Sequence, residues 1–166
     1  MTRGEGEAIR SDPLTPAQRA LCMSRIRATD TRPEMIVRRG LHALGLRYRL
    51  HDRALPGTPD LVFPGHRAVI FVHGCFWHGH DCPLFRLPAT RAEFWAAKID
   101  RNRERDCNSL AAIGDDGWRS LVVWECALRG RARLPPELLL ARVRGWIVDG
   151  LGGAEIAGEW EAAAAG

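Results

Sequence analysis

Residues 68 to 82 read Ala-Val-Ile-Phe-Val-His-Gly-Cys-Phe-Trp-His-Gly-His-Asp-Cys, so an apolar run feeds straight into three histidines, two cysteines and two adjacent aromatic rings. Thiolate sulfur and imidazole nitrogen suit zinc, and Cys75, His80 and Cys82 are close enough in sequence for one loop to wrap a single ion. The fourth ligand is expected from Cys126, which ends a second apolar run, Leu121-Val122-Val123-Trp124-Glu125-Cys126. Four protein ligands make such a site structural, tying two strand ends together. The competing reading takes the cysteines as ordinary buried thiols and the histidines as solvated loop residues. So dense a crowding of Cys and His weighs against it. Once four ligands are assigned, His73 and His78 are left over, and that surplus points to an active site.

The chemistry those histidines would serve follows from the charges around them. Between residues 13 and 133 lie 20 of the 24 basic side chains but 12 of the 20 acidic ones, and every basic residue except Lys98 is arginine. The planar guanidinium fork matches phosphate and guanine edges, so nucleic acid is the expected partner. Arginine-rich codon usage accounts for the choice of Arg over Lys but not for its concentration in the middle of the chain. Hydrolysing a phosphodiester needs a divalent cation and a base for water. Mg²⁺ takes oxygen ligands and keeps several waters, so the Asp60 carboxylate and the Val72 carbonyl can suffice. His73 and His78 can move protons. Glu34 and Asp106 can hold waters of the ion's shell or orient a histidine. Each also has a plainer role, Glu34 as a first-turn acid favourable with a helix dipole and Asp106 as part of a solvated helix face.

The elements that must position these groups are legible in pattern. A short basic helix is expected over Pro16 to Arg27, either lying against DNA or packing with a solvated face. Asp30 or Thr31 can cap a helix with Pro33 in its first turn and Gly45 just past its end. Leu46, Tyr48 and Leu50 alternate with polar residues as in a half-exposed strand. Asp60 to Phe63, a turn at Pro64-Gly65 and Ala68 to Val72 read as a hairpin, which brings Asp60 towards Val72 and His73. Thr90 and Glu93 form a capping box, so a helix is expected from Arg91 to about Ile113, with a very polar middle from Asp100 to Asp106. A strand over Trp118 to Cys126 and a helix from Pro136 to near Gly150 complete the order α-α-β-β-β-α-β-α.

At 166 residues the chain is long enough for one domain that buries roughly 70% of its unfolded surface. Residues 1–15 are expected to be a disordered lead-in, 16–150 the domain, and 151–166 a flexible low-complexity tail. Five cysteines is an odd count, no N-terminal apolar run resembles a signal peptide and nothing approaches a membrane span, so a reducing cytoplasm is expected. Trp118, Trp124 and Trp146 are assigned to the core, whereas Phe76 and Trp77 beside polar ligands are assigned to function. Cys22 and Cys107 receive no role.

Pro59-Asp60 followed by Phe71-Val72-His73 resembles the PD-(D/E)xK nuclease hairpin, with Phe-x-His in place of Glu-x-Lys. That departure, with His-Gly-Cys-Phe-Trp-His-x-His-x-Cys, Pro88-Ala89-Thr90-Arg91-x-x-Phe94-Trp95 and Val123-Trp124-Glu125-Cys126-Ala127, resembles the very-short-patch repair (Vsr) mismatch endonucleases over roughly residues 19 to 148. The resemblance implies an α/β, restriction-endonuclease-like mixed sheet flanked by helices with a structural zinc site. It also implies a Mg²⁺-dependent nick on the 5′ side of the mispaired thymine in a T:G mismatch, the product of 5-methylcytosine deamination. By position it makes Asp60 and the Val72 carbonyl the Mg²⁺ ligands, His78 the general base, His73 a second catalytic group, and Glu34 and Asp106 supporting acids. It makes Cys75, His80, Cys82 and Cys126 the zinc ligands, Phe76, Trp77 and Trp95 wedges into the base stack, and Met23 part of a minor-groove contact. Two positions depart from the pattern: Val72 stands where a hydroxyl residue occurs, and Gly79 and Asp81 interrupt a histidine run. The implied setting is a monomer acting on double-stranded DNA at the bacterial nucleoid, in a pathway with mismatch-repair proteins and a cognate cytosine methyltransferase. The alternatives are a zinc-stabilised DNA-binding module without catalysis, and a restriction-type nuclease that cuts undamaged DNA.

Overall fold

The computed structural model describes residues 15, 17, 18, 21 and 29–160. Met23, Cys22 and most of the helix expected over residues 16–27 therefore lie outside the described residues, as does nearly all of the expected lead-in. Helix α1 spans Arg32–Ala43, and of the two expected caps it uses Thr31, whose side chain accepts the Glu34 N–H at 3.4 Å. Val37 and Leu41, one turn apart, face the core, and Gly45 adopts φ +85° just past the helix end. Strand β1 is only Arg49–Leu50, shorter than the alternation predicts, although Leu46 and Tyr48 still pack on the core.

The expected hairpin is β2, Leu61–Phe63, antiparallel to β3, Ala68–His73, with a 3₁₀ turn at Pro64–His66 between them. Helix α2 runs Ala92–Asp115 and returns the chain to β4, Arg119–Trp124. A 3₁₀ turn at Glu125–Ala127 leads on to α3, Pro136–Asp149. The expected capping box is not formed. Arg91 takes the N-cap position in a left-handed conformation, φ 56°, with no side-chain cap bond, so α2 starts one residue later than the box requires.

A fifth strand, β5 at Ala154–Ile156, falls inside the segment expected to be a low-complexity tail. It pairs in parallel with β4, satisfying the backbone groups of an edge that would otherwise be open. The sheet order is β1-β2-β3-β4-β5, antiparallel across the first two junctions and parallel across the last two. Together with helices α1, α2 and α3 this is a mixed α/β architecture.

Alternation along the strands sorts side chains onto two faces. Ala68, Ile70, Leu121 and Val123 face one way, where they pack with α1 and α3 through Val37, Leu41, Leu139, Val143 and Ile147. Val69, Phe71, Val122 and Trp124 face the other way, with Ile113 of α2, Cys75, Cys82 and Cys126. His73 shares the parity of Phe71 and pairs in register with Trp124, so the strand ends deliver both rings to the cysteine-bearing face. No helix among the described residues is long and apolar enough to cross a membrane.

Candidate active site

Asp60 immediately precedes β2 and therefore stands opposite the end of β3. Its Oδ2 accepts the Val72 N–H at 2.7 Å. Asp60, Val72 and His73 line a cleft of about 840 Å³ that is closed on the far side by Lys98, Asn102, Arg105 and Asp106 of α2. The loop Leu55-Pro56-Gly57-Thr58-Pro59 enters the same cleft. Gly57 has φ +72°, and a Cβ there would meet Ser109 at 2.7 Å, so glycine allows the loop to lie against α2.

The polar middle of α2 does more than face solvent. Asn102 donates to the Trp77 carbonyl at 2.7 Å, Arg103 donates to the carbonyls of His78 and Gly79, and Asp106 Oδ2 is bonded to His78 Nδ1. Three side chains on one helix thus hold the loop after β3. Gly79, φ +60°, admits this approach because a Cβ would sit 2.5 Å from Ile99 and 2.7 Å from Arg103. The rings of His73 and His78 stack with centroids 3.8 Å apart and planes within 3°. Burial, and then the neighbouring His78, hold the His73 imidazolium down to a pKa of about 3, so this ring is neutral across the working range.

Behind the cleft Glu34 is buried to 1% exposure. Its Oε1 receives Arg38 at 3.1 Å and lies 3.2 Å from His51 Nε2, while His51 Nδ1 lies 3.8 Å from Asp60 Oδ1. The structure therefore brings Glu34 to Asp60 through His51, the polar residue that follows Leu50. Burial raises the Asp60 carboxyl to about 6, opposed by the Val72 N–H and reinforced by the Glu34 charge. An ionised carboxylate in that position calls for a cation. With Oδ2 committed to Val72, the oxygen donors present fit a hard divalent ion such as Mg²⁺.

Cys75, His80, Cys82 and Cys126 converge as expected, their ligand atoms all within 4.8 Å of one another. His80 Nδ1 lies 3.7 Å from Cys75 Sγ and 3.5 Å from Cys126 Sγ. A tetrahedral zinc with ordinary Zn–S and Zn–N lengths has S···N edges of about 3.6 Å, so the donor set fits that ion. Backbone N–H groups of Cys126 and Gly158 point at Cys75 Sγ and Cys126 Sγ, each at 3.3 Å. The hydrogen bond from Cys75 draws the Cys126 thiol down to about 6, and the same bond with burial pushes Cys75 up.

Trp124, expected to be core, lies between this cluster and the cleft. It stacks on His80 at 4.2 Å and meets His73 edge-on at 5.4 Å, and its Nε1–H donates to Glu155 of β5 at 3.0 Å. Glu125 is a further cleft residue that sequence reasoning passed over. It accepts the Cys75 N–H at 3.2 Å and pairs with Arg129 at 3.0 Å.

Phe76, Trp77 and Trp95 form a half-buried cluster with centroid separations of 5.1, 5.4 and 6.0 Å, and through Trp77 it reaches the cleft lining. Lys98 Nζ lies over both tryptophan rings, at 5.3 and 5.6 Å.

Two other groupings have metal-compatible spacing, His73 with His78 and Asp106, and Asp30 with Glu34 and His51. The first presents parallel stacked rings, whose in-plane lone pairs do not converge on one ion. In the second Arg38 already bridges Asp30 at 2.5 Å and Glu34 at 3.1 Å, occupying oxygens that an ion would need.

A family profile described as DNA mismatch endonuclease Vsr matches residues 11–84. The chain is 47% identical over 137 residues to the DNA mismatch endonuclease Vsr of Escherichia coli, covering 82% of this chain and 88% of that one. It is 49% identical over 128 residues to the type II nicking enzyme V.XorIIP of Xanthomonas oryzae, covering 77% and 94%. It is 38% identical over 122 residues to the type II nicking enzyme V.NmeAIP of Neisseria meningitidis, covering 74% and 87%.

Proposed function

The chain belongs to the Vsr family of DNA mismatch endonucleases, and from that footing we propose that it nicks the phosphodiester on the 5′ side of the mispaired thymine in T:G mismatches, with Mg²⁺ as cofactor. The observation that carries the reading is the meeting of an Asp60 carboxylate, an Asp106-bonded His78 and a neutral His73 in one cleft that Trp77 also lines.

Asp60 Oδ1 and the Val72 carbonyl would hold Mg²⁺, which when bound supplies Lewis-acid polarisation of the scissile phosphoryl oxygen. Asp106 accepts the Nδ1 proton of His78, which fixes the tautomer and leaves the Nε2 lone pair to take a proton from the attacking water. His73, held neutral by burial, hydrogen-bonds to the reacting phosphate or its water and acts as no cationic acid. Glu34 serves from behind, through His51. Cys75, His80, Cys82 and Cys126 hold a structural zinc, and Trp124 carries that rigidity to the cleft wall.

Phe76, Trp77 and Trp95 enter the base stack beside the mismatch. A wobble pair unstacks at lower cost than a Watson–Crick pair, and an inserted ring recovers part of the lost stacking. Met23 belongs to this contact in the same reading. The enzyme works as a monomer in the cytoplasm, at the nucleoid, downstream of a cytosine methyltransferase and alongside mismatch-repair proteins.

The names of the type II nicking relatives favour a second reading, nicking of undamaged duplex in a restriction setting. One experiment separates them: T:G and matched T:A duplexes are incubated with Mg²⁺ and either wild-type protein or Asp60→Asn. We expect one nick in the T strand of the T:G duplex only, reduced at least a thousandfold by Asp60→Asn. Equal cutting of T:A supports the second reading, and equal activity of the two proteins refutes the assigned site.

A further inference from the structure

A third imidazole lines the cleft beside His73 and His78, set between Glu34 and Asp60. His51 follows β1 directly, and it adopts φ 48°, a left-handed conformation that non-glycine residues seldom take and that concentrates at functional sites. Its N–H donates to the Asp60 carbonyl at 3.3 Å, one step beyond the Leu50 to Leu61 pairing, so the backbone already fastens the two residues together. The left-handed turn then directs the imidazole between two carboxylates. Nε2 is 3.2 Å from Glu34 Oε1 and sealed from solvent without an aligned hydrogen bond, and Nδ1 is 3.8 Å from Asp60 Oδ1.

The contacts run in one line from the surface to the cleft. Asp30 pairs with Arg38, Arg38 with Glu34, Glu34 meets the His51 ring, and the ring backs Asp60, whose second oxygen is fixed by Val72. Remove the ring and two acids face each other across a gap, and the Val72 N–H is left as the one contact here that holds the Asp60 carboxylate, on Oδ2 and not on Oδ1. We propose that His51 is a positioning residue, wedged between Glu34 and Asp60 so that Asp60 Oδ1 is presented to a divalent cation. The inference rests on the reading of Asp60 as a metal ligand and adds to it the residue that aims the ligand.

Groups that orient a metal ligand from behind carry tenfold to hundredfold of the affinity. The test is Mn²⁺ titration of the zinc-replete protein by paramagnetic resonance, on wild type, Asp60→Asn, His51→Leu and His51→Gln, with melting temperature and zinc content measured on each. We expect His51→Leu to weaken Mn²⁺ binding at least tenfold and His51→Gln, which keeps an N–H donor, to recover most of it, with zinc content unchanged in both. Nicking by His51→Leu is expected to recover when Mg²⁺ is raised in proportion. The positioning role is overturned if Asp60→Asn loses Mn²⁺ while both His51 variants titrate as wild type, or if His51→Leu and His51→Gln lose it equally. Wild type that fails to bind Mn²⁺ overturns the metal-ligand reading of Asp60 and this inference with it.

Discussion

A carboxylate that binds a cation must wait for it in a place that disfavours its own charge, and Asp60 shows the cost. Its folded pKa of about 6 lies above the ordinary 3.8, chiefly because of burial. The folded state therefore holds the proton more tightly than the unfolded chain does. Its contribution to stability is fully present below the ordinary value and is lost as pH rises through about 6. The cost in Mg²⁺-free buffer at pH 8 is at most about 3 kcal/mol, falling by about half at pH 5. Asp60→Asn keeps an oxygen for the Val72 N–H and removes the charge. It is expected to be more stable than wild type at pH 8 by about 1–3 kcal/mol, with the gap narrowing towards pH 5 and closing when Mg²⁺ is added to wild type. Urea melts across that range measure it, and a gap that widens at low pH contradicts the burial account. The partners that create this environment were unevenly visible in sequence. Asp60, His73 and His78 stand out because they bracket a strand pattern. His51, Asn102 and Arg103 do not, because their roles depend on where a left-handed turn and a helix face come to rest.

At the scale of elements, the hairpin β2–β3 was readable from its apolar content and turn residues, and α3 from Pro136 and its apolar stripe. β5 was not, since Ala154-Glu155-Ile156 carries no pattern of its own and becomes a strand only because β4 offers a free parallel edge. The missed capping box has the same origin: Thr90 and Glu93 fit the motif, but Arg91 turns left-handed and breaks the geometry the motif requires. β5 and the residues just after it matter to the site through three kinds of contact. Ile156 and Ala154 pack on the core, Glu155 takes the Trp124 N–H, and Gly158 N–H points at Cys126 Sγ. Deleting residues 154–166 therefore removes a strand partner, frees the ring between the metal cluster and His73, and strips a hydrogen bond from a thiolate. The truncated protein is expected to melt well below wild type and to yield zinc to a chelator at least tenfold faster. Structural zinc can contribute about 10 kcal/mol to folding, so the two losses should occur together. Unchanged zinc release would assign β5 to edge protection alone.

Charge is the property that belongs to the whole molecule. The acidic segment after α3 is partly folded back onto the body, with Glu155 bonded to Trp124 and Glu159 paired to Arg142 at 2.8 Å. Lys98, Arg101 and Arg105 follow one another along α2. Lys98 and Arg105 line the cleft itself, and Arg101 and Arg105 line a second groove beside it with Pro56, Glu104, Asn108 and Ser109. A duplex laid with its mismatch at Phe76, Trp77 and Trp95 would run its backbone along this track. Binding should then fall steeply with salt, by roughly 0.9 in log affinity per phosphate for each decade of salt. In the nicking-deficient Asp60→Asn background, Arg105→Ala is expected to reduce that slope by about 1 and to weaken T:G and T:A duplexes alike, because a phosphate contact reads no sequence. Trp77→Ala is expected to leave the slope unchanged while removing the preference for T:G, since stacking releases no counterions. Fluorescence anisotropy from 50 to 300 mM salt distinguishes the two, and an Arg105→Ala protein with wild-type slope would place the phosphate path on another face of the molecule.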